Sequence, residues 1–364
     1  LHLSLRRQRQ MCIRDSSYDF ESENPTYALN PFSLVWEDGG CYAILGPSGC
    51  GKTTMLNIMS GLVSPSKGSV LFDGNDITFI KTEKRNIAQV FQFPVIYNTM
   101  SVYSNLAFPL KCRNFNENII KSKVIEVAEI LNLNLLLDKA AKELTADQKQ
   151  LISLGRGLVR EDVAAILMDE PLTVIDPDLK FRLRRKLKEI NEKYNTTLIY
   201  VTHDQNEAMT FANKIIVMDS GNIVQAGNPK ELFERPQTTF VGYFIGSPAM
   251  NIYDCTALSD FNVSIGDIKL KTSTNLSNVK SEQLKIGIRS EFIKLVNDRS
   301  DNTIEGKIET VEDFGNYKLV SVNKNNLIIK AKIEREMEIP QETVLLNIPA
   351  EPVSYTHLTL PTKA

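Results

Sequence analysis

The sequence predicts an α/β fold over most of its length, followed by a smaller β domain. Continuous apolar runs without polar alternation are typical of parallel strands covered on both faces. Four such runs occur at Cys41–Leu45, Val163–Met168, Thr197–Val201 and Lys214–Met218. Helical stretches separate them, including Lys52–Ser60 and Asp178–Lys193. After residue 251 the pattern changes to short β runs between polar turns, and this spacing favours a small barrel or sandwich, with the OB type as a candidate.

Composition narrows the class of protein. The chain has 364 residues with 42% hydrophobic and 24% charged residues, and its net charge of −2 gives no reason to expect nucleic acid as a partner. Apolar runs stay well below the roughly 18 residues of a membrane helix. The five cysteines show no paired spacing, which indicates a reducing compartment and no structural metal.

Domain boundaries follow from these patterns. We expect an α/β domain over 17–236 with an inserted helical subdomain over about 93–150, a linker over 237–251, and a β domain over 252–353 that is open to truncation. Residues 1–16 and 354–364 match no strand or helix period and resemble translated sequencing-adapter text. We therefore treat them as a non-native leader and tail and leave them out of the fold prediction.

A glycine-rich segment between the first apolar run and the first helix has the spacing G-x-x-x-x-G-K-[ST]. Its members are Gly46, Pro47, Ser48, Gly49, Cys50, Gly51, Lys52, Thr53 and Thr54. Glycines at these positions let backbone N–H groups curl around phosphate oxygens at a helix N-terminus. We expect Lys52 to reach the β- and γ-phosphates and Thr53 to bind Mg²⁺. The sequence therefore predicts a nucleotide site.

Polar residues follow three further predicted strands. Asp169 and Glu170 end an apolar run, where a second Mg²⁺ contact and a base for water are expected. His203 follows the next run and is placed to bind a γ-phosphate and hold the base. Gln92 ends another short run before the helical subdomain and is expected to touch Mg²⁺ or water through its amide.

These motifs, in this order and spacing, resemble the ATP-binding subunits of ABC importers of the sugar and polyol class over about residues 17–353. The resemblance implies ATP and Mg²⁺ as ligands, a P-loop ABC ATPase domain and a C-terminal β domain of the OB or TOBE type. It implies that Tyr18, or less favourably Tyr27, stacks on adenine. The segment Asn98–Leu110 resembles the part that docks on a permease, so the Gln92–Leu110 region is the expected permease contact.

The family dimerises head to tail, so each ATP lies between one chain's phosphate loop and the partner's signature motif. The usual Leu-Ser-Gly-Gly-Gln signature reads Leu144-Thr-Ala-Asp-Gln148 here. Thr145 keeps the hydroxyl, but Asp147 places a carboxylate near a triphosphate. The loop ending at Asp176 keeps its aspartate, and we expect Thr145, Gln148 and Asp176 at the nucleotide. Together these features most resemble one of two unlike ATPase subunits of a bacterial glycerol importer.

The resulting hypothesis is an ATPase on the cytoplasmic face of the bacterial inner membrane. It would work with permease subunits, a non-identical second ATPase and, indirectly, a periplasmic binding protein. Glu170 would act as the base, with Lys52, Gln92 and His203 as the other catalytic residues. The alternatives are a homodimer that imports glycerol 3-phosphate or a sugar, a regulatory nucleotide-binding subunit, and an ABC ATPase of repair or translation, whose second ATPase half or coiled coil this chain lacks.

Overall fold

The computed structural model describes residues 8–17, 27–160, 163–273, 275–276, 284–350 and 353–357, with the backbone alone at 8–17, 27 and 353–357. The chain divides into two compact units, Leu1–Pro229 and Lys230–Ala364. Within the described ranges, no helix is both long enough and apolar enough to cross a membrane.

The first unit alternates strands and helices. Its strands are β1 (Gln8–Ser17), β2 (Tyr27–Leu29), β3 (Phe32–Glu37), β4 (Cys41–Leu45), β5 (Lys67–Phe72), β6 (Asn75–Asp76), β7 (Ile87–Val90), β8 (Ala165–Asp169), β9 (Thr197–Thr202), β10 (Lys214–Asp219) and β11 (Asn222–Gly227). Its helices are α1 (Lys52–Ser60), α2 (Val102–Lys111), α3 (Glu117–Ile130), α4 (Ala146–Leu158), α5 (Pro177–Tyr194) and α6 (Gln205–Phe211), and α7 (Pro229–Glu234) lies at the boundary. The predicted α/β class is confirmed.

The central sheet has six strands in the order β11-β10-β4-β9-β8-β7. All pairs are parallel except the β10–β11 hairpin, which turns at Ser220 and Gly221. β4, β8 and β9 are buried along their whole length, as the unbroken apolar runs predicted. Because these strands are parallel, the loops after β4, β7, β8 and β9 open at one edge of the sheet.

Helices α2, α3 and α4 make up the predicted helical insertion, and α4 continues to Leu158 rather than ending near residue 150. A glycine in α4 permits close packing of these helices. A Cβ on Gly155 would lie 2.5 Å from Leu106 Cδ2 of α2 and 3.0 Å from Leu131 Cδ1, the residue after α3. The insertion is therefore a tightly packed three-helix unit.

β1 pairs with both β3 and β5 in an antiparallel sheet, although we predicted no strand in residues 1–16. Similarly, β21 (Val353–His357) extends a sheet of the second unit into the predicted tail. Strand pairing uses backbone N–H and C=O groups that almost every residue carries, so these pairings do not require an apolar alternation. That both ends are non-native stays a prediction.

The second unit is mostly β. It contains α8 (Thr239–Phe244), β12 (Asn251–Ser259), β13 (Asn262–Ile265), β14 (Ile268–Lys271), β15 (Leu284–Ile288), β16 (Lys294–Val296), β17 (Thr303–Asp313), β18 (Tyr317–Lys324), β19 (Leu327–Glu334), β20 (Thr343–Asn347) and β21. Two antiparallel five-stranded sheets, β14-β13-β12-β15-β21 and β16-β20-β17-β18-β19, share one apolar core. This arrangement is consistent with the predicted small barrel. β13 and β14 are separated by a turn at Gly266, whose φ is +55°.

The predicted linker over 237–251 contains α8, and a buried arginine holds this region to the β strands. Arg289 is 1% exposed and donates from Nε to the Phe233 carbonyl (3.0 Å) and from Nη1 to the Gly242 carbonyl (2.9 Å) and the Ile245 carbonyl. These carbonyls lie near the C-terminal ends of α7 and α8, where helix dipoles favour a cation. Burial lowers the pKa of Arg289 to about 10.

Candidate functional site

The glycine-rich segment connects β4 to α1, as predicted. Gly49 and Gly51 have φ angles of +81° and +100°, which side chains with a Cβ rarely adopt. A Cβ on Gly46 would lie 2.3 Å from the Met218 carbonyl oxygen. The loop conformation therefore depends on all three glycines.

The N-terminus of α1 is open to a ligand. Its N-cap is Gly51, which has no side chain to cap the first N–H groups, and its first turn has no acidic residue. The positive end of the helix dipole and these donors favour an anion at the loop.

Lys52 lies inside the curve of the loop and is 5% exposed. Its Nζ donates to the carbonyls of Gly46 (2.9 Å) and Pro47 (2.8 Å) and lies 3.9 Å from Cys50 Sγ. The ammonium group is thus held within the loop by two backbone carbonyls. A phosphate in the loop would exchange these neutral carbonyl partners for a charged one.

Asp169 ends β8 and is 6% exposed. The pKa of its carboxyl is raised, mainly by burial and in smaller part by the nearby charge of Glu170. A hydrogen bond from the Thr53 hydroxyl and the charge of Lys52 act in the opposite direction. The hydroxyl and the carboxylate that were predicted to share a metal are therefore in contact. A buried carboxylate beside a hydroxyl is a hard-oxygen donor pair, which fits Mg²⁺.

Glu170 is the centre of the site. Its φ is +43°, which is unusual for a residue with a long side chain, and its N–H donates to the Val201 carbonyl at 3.0 Å. Its Oε1 lies 3.1 Å from His203 Nδ1, and its Oε2 accepts from Gln92 Nε2 at 3.4 Å. The three residues predicted from separate strands thus meet at one carboxylate.

Thr173 is a contact that the sequence did not reveal. Its hydroxyl lies 3.0 Å from the Glu170 carbonyl oxygen and 3.4 Å from Glu170 Oε2. In the sequence, Thr173 is only a threonine three residues after Glu170, and hydroxyl residues are so common in turns that this position did not indicate a contact. This contact helps fix both the backbone and the carboxylate of Glu170.

A buried acid lies behind His203 and was also missed. Glu207 is 6% exposed and accepts hydrogen bonds from Tyr200 Oη (2.9 Å) and Thr202 Oγ1 (2.8 Å). Thr202 Oγ1 in turn accepts from the Asp204 N–H at 3.0 Å. The turn that carries His203 is therefore held from both sides.

The altered signature begins α4. Thr145 is its N-cap, and a capping box joins Thr145 and Gln148, whose Oε1 accepts from the Thr145 N–H at 3.2 Å. The Thr145 hydroxyl also bonds the Asp147 carboxylate. Asp176 caps α5 by accepting from the Asp178 N–H at 3.0 Å. In the described part of the chain, neither residues 145–148 nor Asp176 hydrogen-bond Glu170, although Thr173 of the loop that ends at Asp176 does. The structure of one chain therefore does not bring Thr145, Gln148 and Asp176 to the site.

The adenine contact stays a prediction. Tyr18 lies outside the described residues, and Tyr27 belongs to β2, where only the backbone is described.

Comparison with known proteins places this geometry in a family. The model of the family described as "ABC transporter" matches residues 29–173. The trehalose/maltose import ATP-binding protein MalK of Thermococcus litoralis is 37% identical over 86% of this chain and 88% of its own length. The sn-glycerol-3-phosphate import ATP-binding protein UgpC of Pectobacterium atrosepticum is 37% identical over 84% of this chain and 85% of its own length.

A solved structure of an ATP-binding cassette, MJ0796, as a dimer in a post-hydrolysis state with ADP and Pi, matches with a TM-score of 0.55. It is 25% identical and covers 60% of this chain and 98% of its own. The two import proteins thus match this chain over most of its length, and the solved cassette matches its fold. This protein belongs to the ABC transporter family as one of its ATP-binding subunits, which hydrolyse ATP to drive transport.

Proposed function

We propose that this chain powers the import of a small polyol or sugar, with glycerol as the solute and sn-glycerol 3-phosphate or a sugar as the alternatives. The observation that supports catalysis is the convergence of Gln92, His203 and Thr173 on the Glu170 carboxylate, beside the phosphate loop. The solute class is supported by the import proteins for trehalose/maltose and sn-glycerol 3-phosphate that match the chain, and glycerol itself rests on the resemblance alone. A regulatory subunit without turnover is disfavoured because Glu170 and His203 are both present and in contact.

In the proposed reaction, the chain's residues position ATP and water. The loop N–H groups and Lys52 hold the phosphates, and Thr53 with Asp169 would hold Mg²⁺, which neutralises charge on the phosphate oxygens when bound. Glu170 orients a water and accepts its proton as the water attacks the γ-phosphorus and ADP leaves. His203 holds Glu170 and contacts the γ-phosphate, and Gln92 follows the phosphate as it leaves.

The proposed setting is the cytoplasmic face of a bacterial inner membrane, against permease subunits and, through them, a periplasmic binding protein. The Gln92–Leu110 region exposes the apolar side chains of Phe93 (76% exposed) and Val95 (54% exposed), which suits a protein contact. The second unit would be an OB- or TOBE-like regulatory domain, supported by its two antiparallel sheets around one core.

We further propose that the partner ATPase is a different chain with an ordinary signature. In the first turn of α4 the Asp147 carboxylate lies next to the Thr145 hydroxyl. A negative charge at that helix end would repel a partner-bound triphosphate. The site built on this chain's Lys52, Glu170 and His203 would then be competent, and the site that borrows Thr145–Gln148 would be slow.

Restoring Ser-Gly-Gly at positions 145–147 tests this asymmetry. In a heterodimer only one poor site is repaired, so ATP turnover of the assembled transporter should rise at most about twofold, because one of two sites is already competent. A homodimer would use the altered signature at both sites, and turnover would rise far more. Glu143→Gly, which removes an exposed acid just before the motif, is the matched control and should leave turnover unchanged.

The solute is tested by stimulation of ATP turnover. The ATP turnover of the transporter, assembled with its permeases and binding protein, should rise when glycerol is added. Stimulation by sn-glycerol 3-phosphate or by a sugar in place of glycerol would select the alternative. No response to any of the three would contradict the proposed solute class.

A further inference from the structure

One face of α4 is bonded to the chain segment that contains Gln92. Residues three apart lie on the same side of a helix, and α4 has polar residues at 150, 153 and 156. All three bond the backbone of residues 91–95. The bonds run from Gln150 Nε2 to the Phe91 carbonyl (3.1 Å), from the Val95 N–H to Ser153 Oγ (3.4 Å), and from Arg156 Nη1 to the Val95 carbonyl (2.6 Å).

Gln150 makes the bond nearest to the chemistry. Phe91 immediately precedes Gln92, whose amide bonds Glu170, so Gln150 fixes the peptide that leads into this side chain. Gln150 is 1% exposed, and its Oε1 has no hydrogen-bond partner in the described structure. A buried amide that uses only its donor is costly to retain, so packing alone does not explain a glutamine here.

The same helix begins at the signature. Only one and a half turns separate Gln150 from the N-cap Thr145, and a helix of this length moves as a rigid element. A displacement of the Gln92 backbone would therefore be carried by the Gln150 side chain to the first turn of α4.

We propose that Gln150 is a positioning residue that couples Gln92 to the signature of its own chain. Through Gln150, the nucleotide state of the site that contains Glu170 would affect the site that uses Thr145–Gln148, and the reverse. The inference rests on the proposed roles of Gln92 and the signature. Arg156 supports the same coupling, because its guanidinium also lies over the Tyr97 ring at 4.9 Å from the ring centre.

A double-mutant cycle on the assembled transporter tests the coupling. Gln150→Met keeps the length of the side chain and removes the donor. We expect ATP turnover to fall about fivefold or more, the size seen within one hydrogen-bond network, with KM for ATP changed by less than about twofold. In a Gln92→Ala background the same change should have little further effect, because the residue being positioned is already gone.

The controls separate coupling from loss of stability. Ile152→Val lies on the same helix, is fully buried and makes none of the three bonds, so it should leave turnover unchanged. Ser153→Ala removes a neighbouring bond to the segment and should act in the same direction with the same non-additivity. Ser153→Ala replaces Gln150→Met in the double-mutant cycle if Gln150→Met does not fold.

Two outcomes overturn the inference. One is normal turnover in Gln150→Met and Ser153→Ala, and the other is an effect of equal size with and without Gln92. If Gln92→Ala itself leaves turnover unchanged, the proposed role of Gln92 fails instead. The two failures are therefore distinguishable.

Discussion

Glu170→Gln is the sharpest test of the site. Glutamine has nearly the same shape and can keep contacts with His203 and Thr173, but its amide cannot accept a proton from water. In the described structure, the Lys52 ammonium bonds the Gly46 and Pro47 carbonyls, whereas the Glu170 carboxylate bonds His203. The substitution should therefore leave ATP binding unchanged. The substitution therefore separates the base from the phosphate-binding residues.

The magnitude follows from the geometry. The Glu170 side chain is 15% exposed and contacts His203, Gln92 and Thr173. The neighbouring carboxylate of Asp169 is the candidate to replace it as base. Asp169 bonds Thr53 and is proposed to hold Mg²⁺. Removing a general base costs on the order of 10²–10⁴ in rate, and we expect turnover to fall by at least about 100-fold.

The assay is phosphate release by the assembled transporter, paired with ATP binding measured by displacement of a fluorescent analogue. The Kd for ATP should stay within about threefold of that of the unaltered chain, which corresponds to less than about 0.7 kcal/mol in binding free energy. Glu189→Gln, an exposed acid of α5 that pairs with Lys186, is the control and should leave both quantities unchanged. Turnover in Glu170→Gln close to that of the unaltered chain would refute the base assignment.

Three further outcomes are expected. Gly46→Ala places a Cβ 2.3 Å from the Met218 carbonyl oxygen, so ATP affinity should fall about tenfold or more in a binding titration, the effect of roughly 1.4 kcal/mol. The exposed Cys112 should be alkylated at pH 8 well before the buried Cys41, as measured by peptide mass spectrometry. Burial raises the pKa of Cys41 to about 12, so little of it is present as the reactive thiolate. Arg289→Met removes the donor to three carbonyls of the second unit. Urea unfolding should show a free energy of unfolding lower by about 2–4 kcal/mol. Each buried acceptor left unpaired costs about 1–3 kcal/mol, and part of this cost is offset because a charge is no longer buried.

The parts of the site that sequence could predict are those fixed by local patterns. The loop from Gly46 to Thr53 follows from glycine spacing, and Glu170 and His203 follow from their places after unbroken apolar runs. Parallel strands bring such strand ends to one edge whatever the rest of the chain does. This is why residues far apart in sequence could be assigned to one site.

The parts that could not be predicted depend on side chains that meet through the fold. The Thr173 and Gln150 contacts involve common polar residues whose partners are set by the path of a turn or by helix packing. The left-handed backbone at Glu170, with φ of +43°, has no local signal either, since a glutamate rarely adopts it. Pairing of β1 was missed because backbone hydrogen bonds do not require a sequence pattern.

The contacts of Glu170 have a consequence for how the proposed reaction is controlled. In this structure Gln92, His203 and Thr173 all lie within hydrogen-bond reach of its carboxylate, which has about four acceptor positions. A water that Glu170 activates must bind the same carboxylate beside these partners, so the position of each partner affects how the water is held. Gln92 is the one that α4 can displace, because its preceding carbonyl is bonded to Gln150. Catalysis by this chain would then depend on the position of its own signature helix, and so on the nucleotide bound at the partner's site.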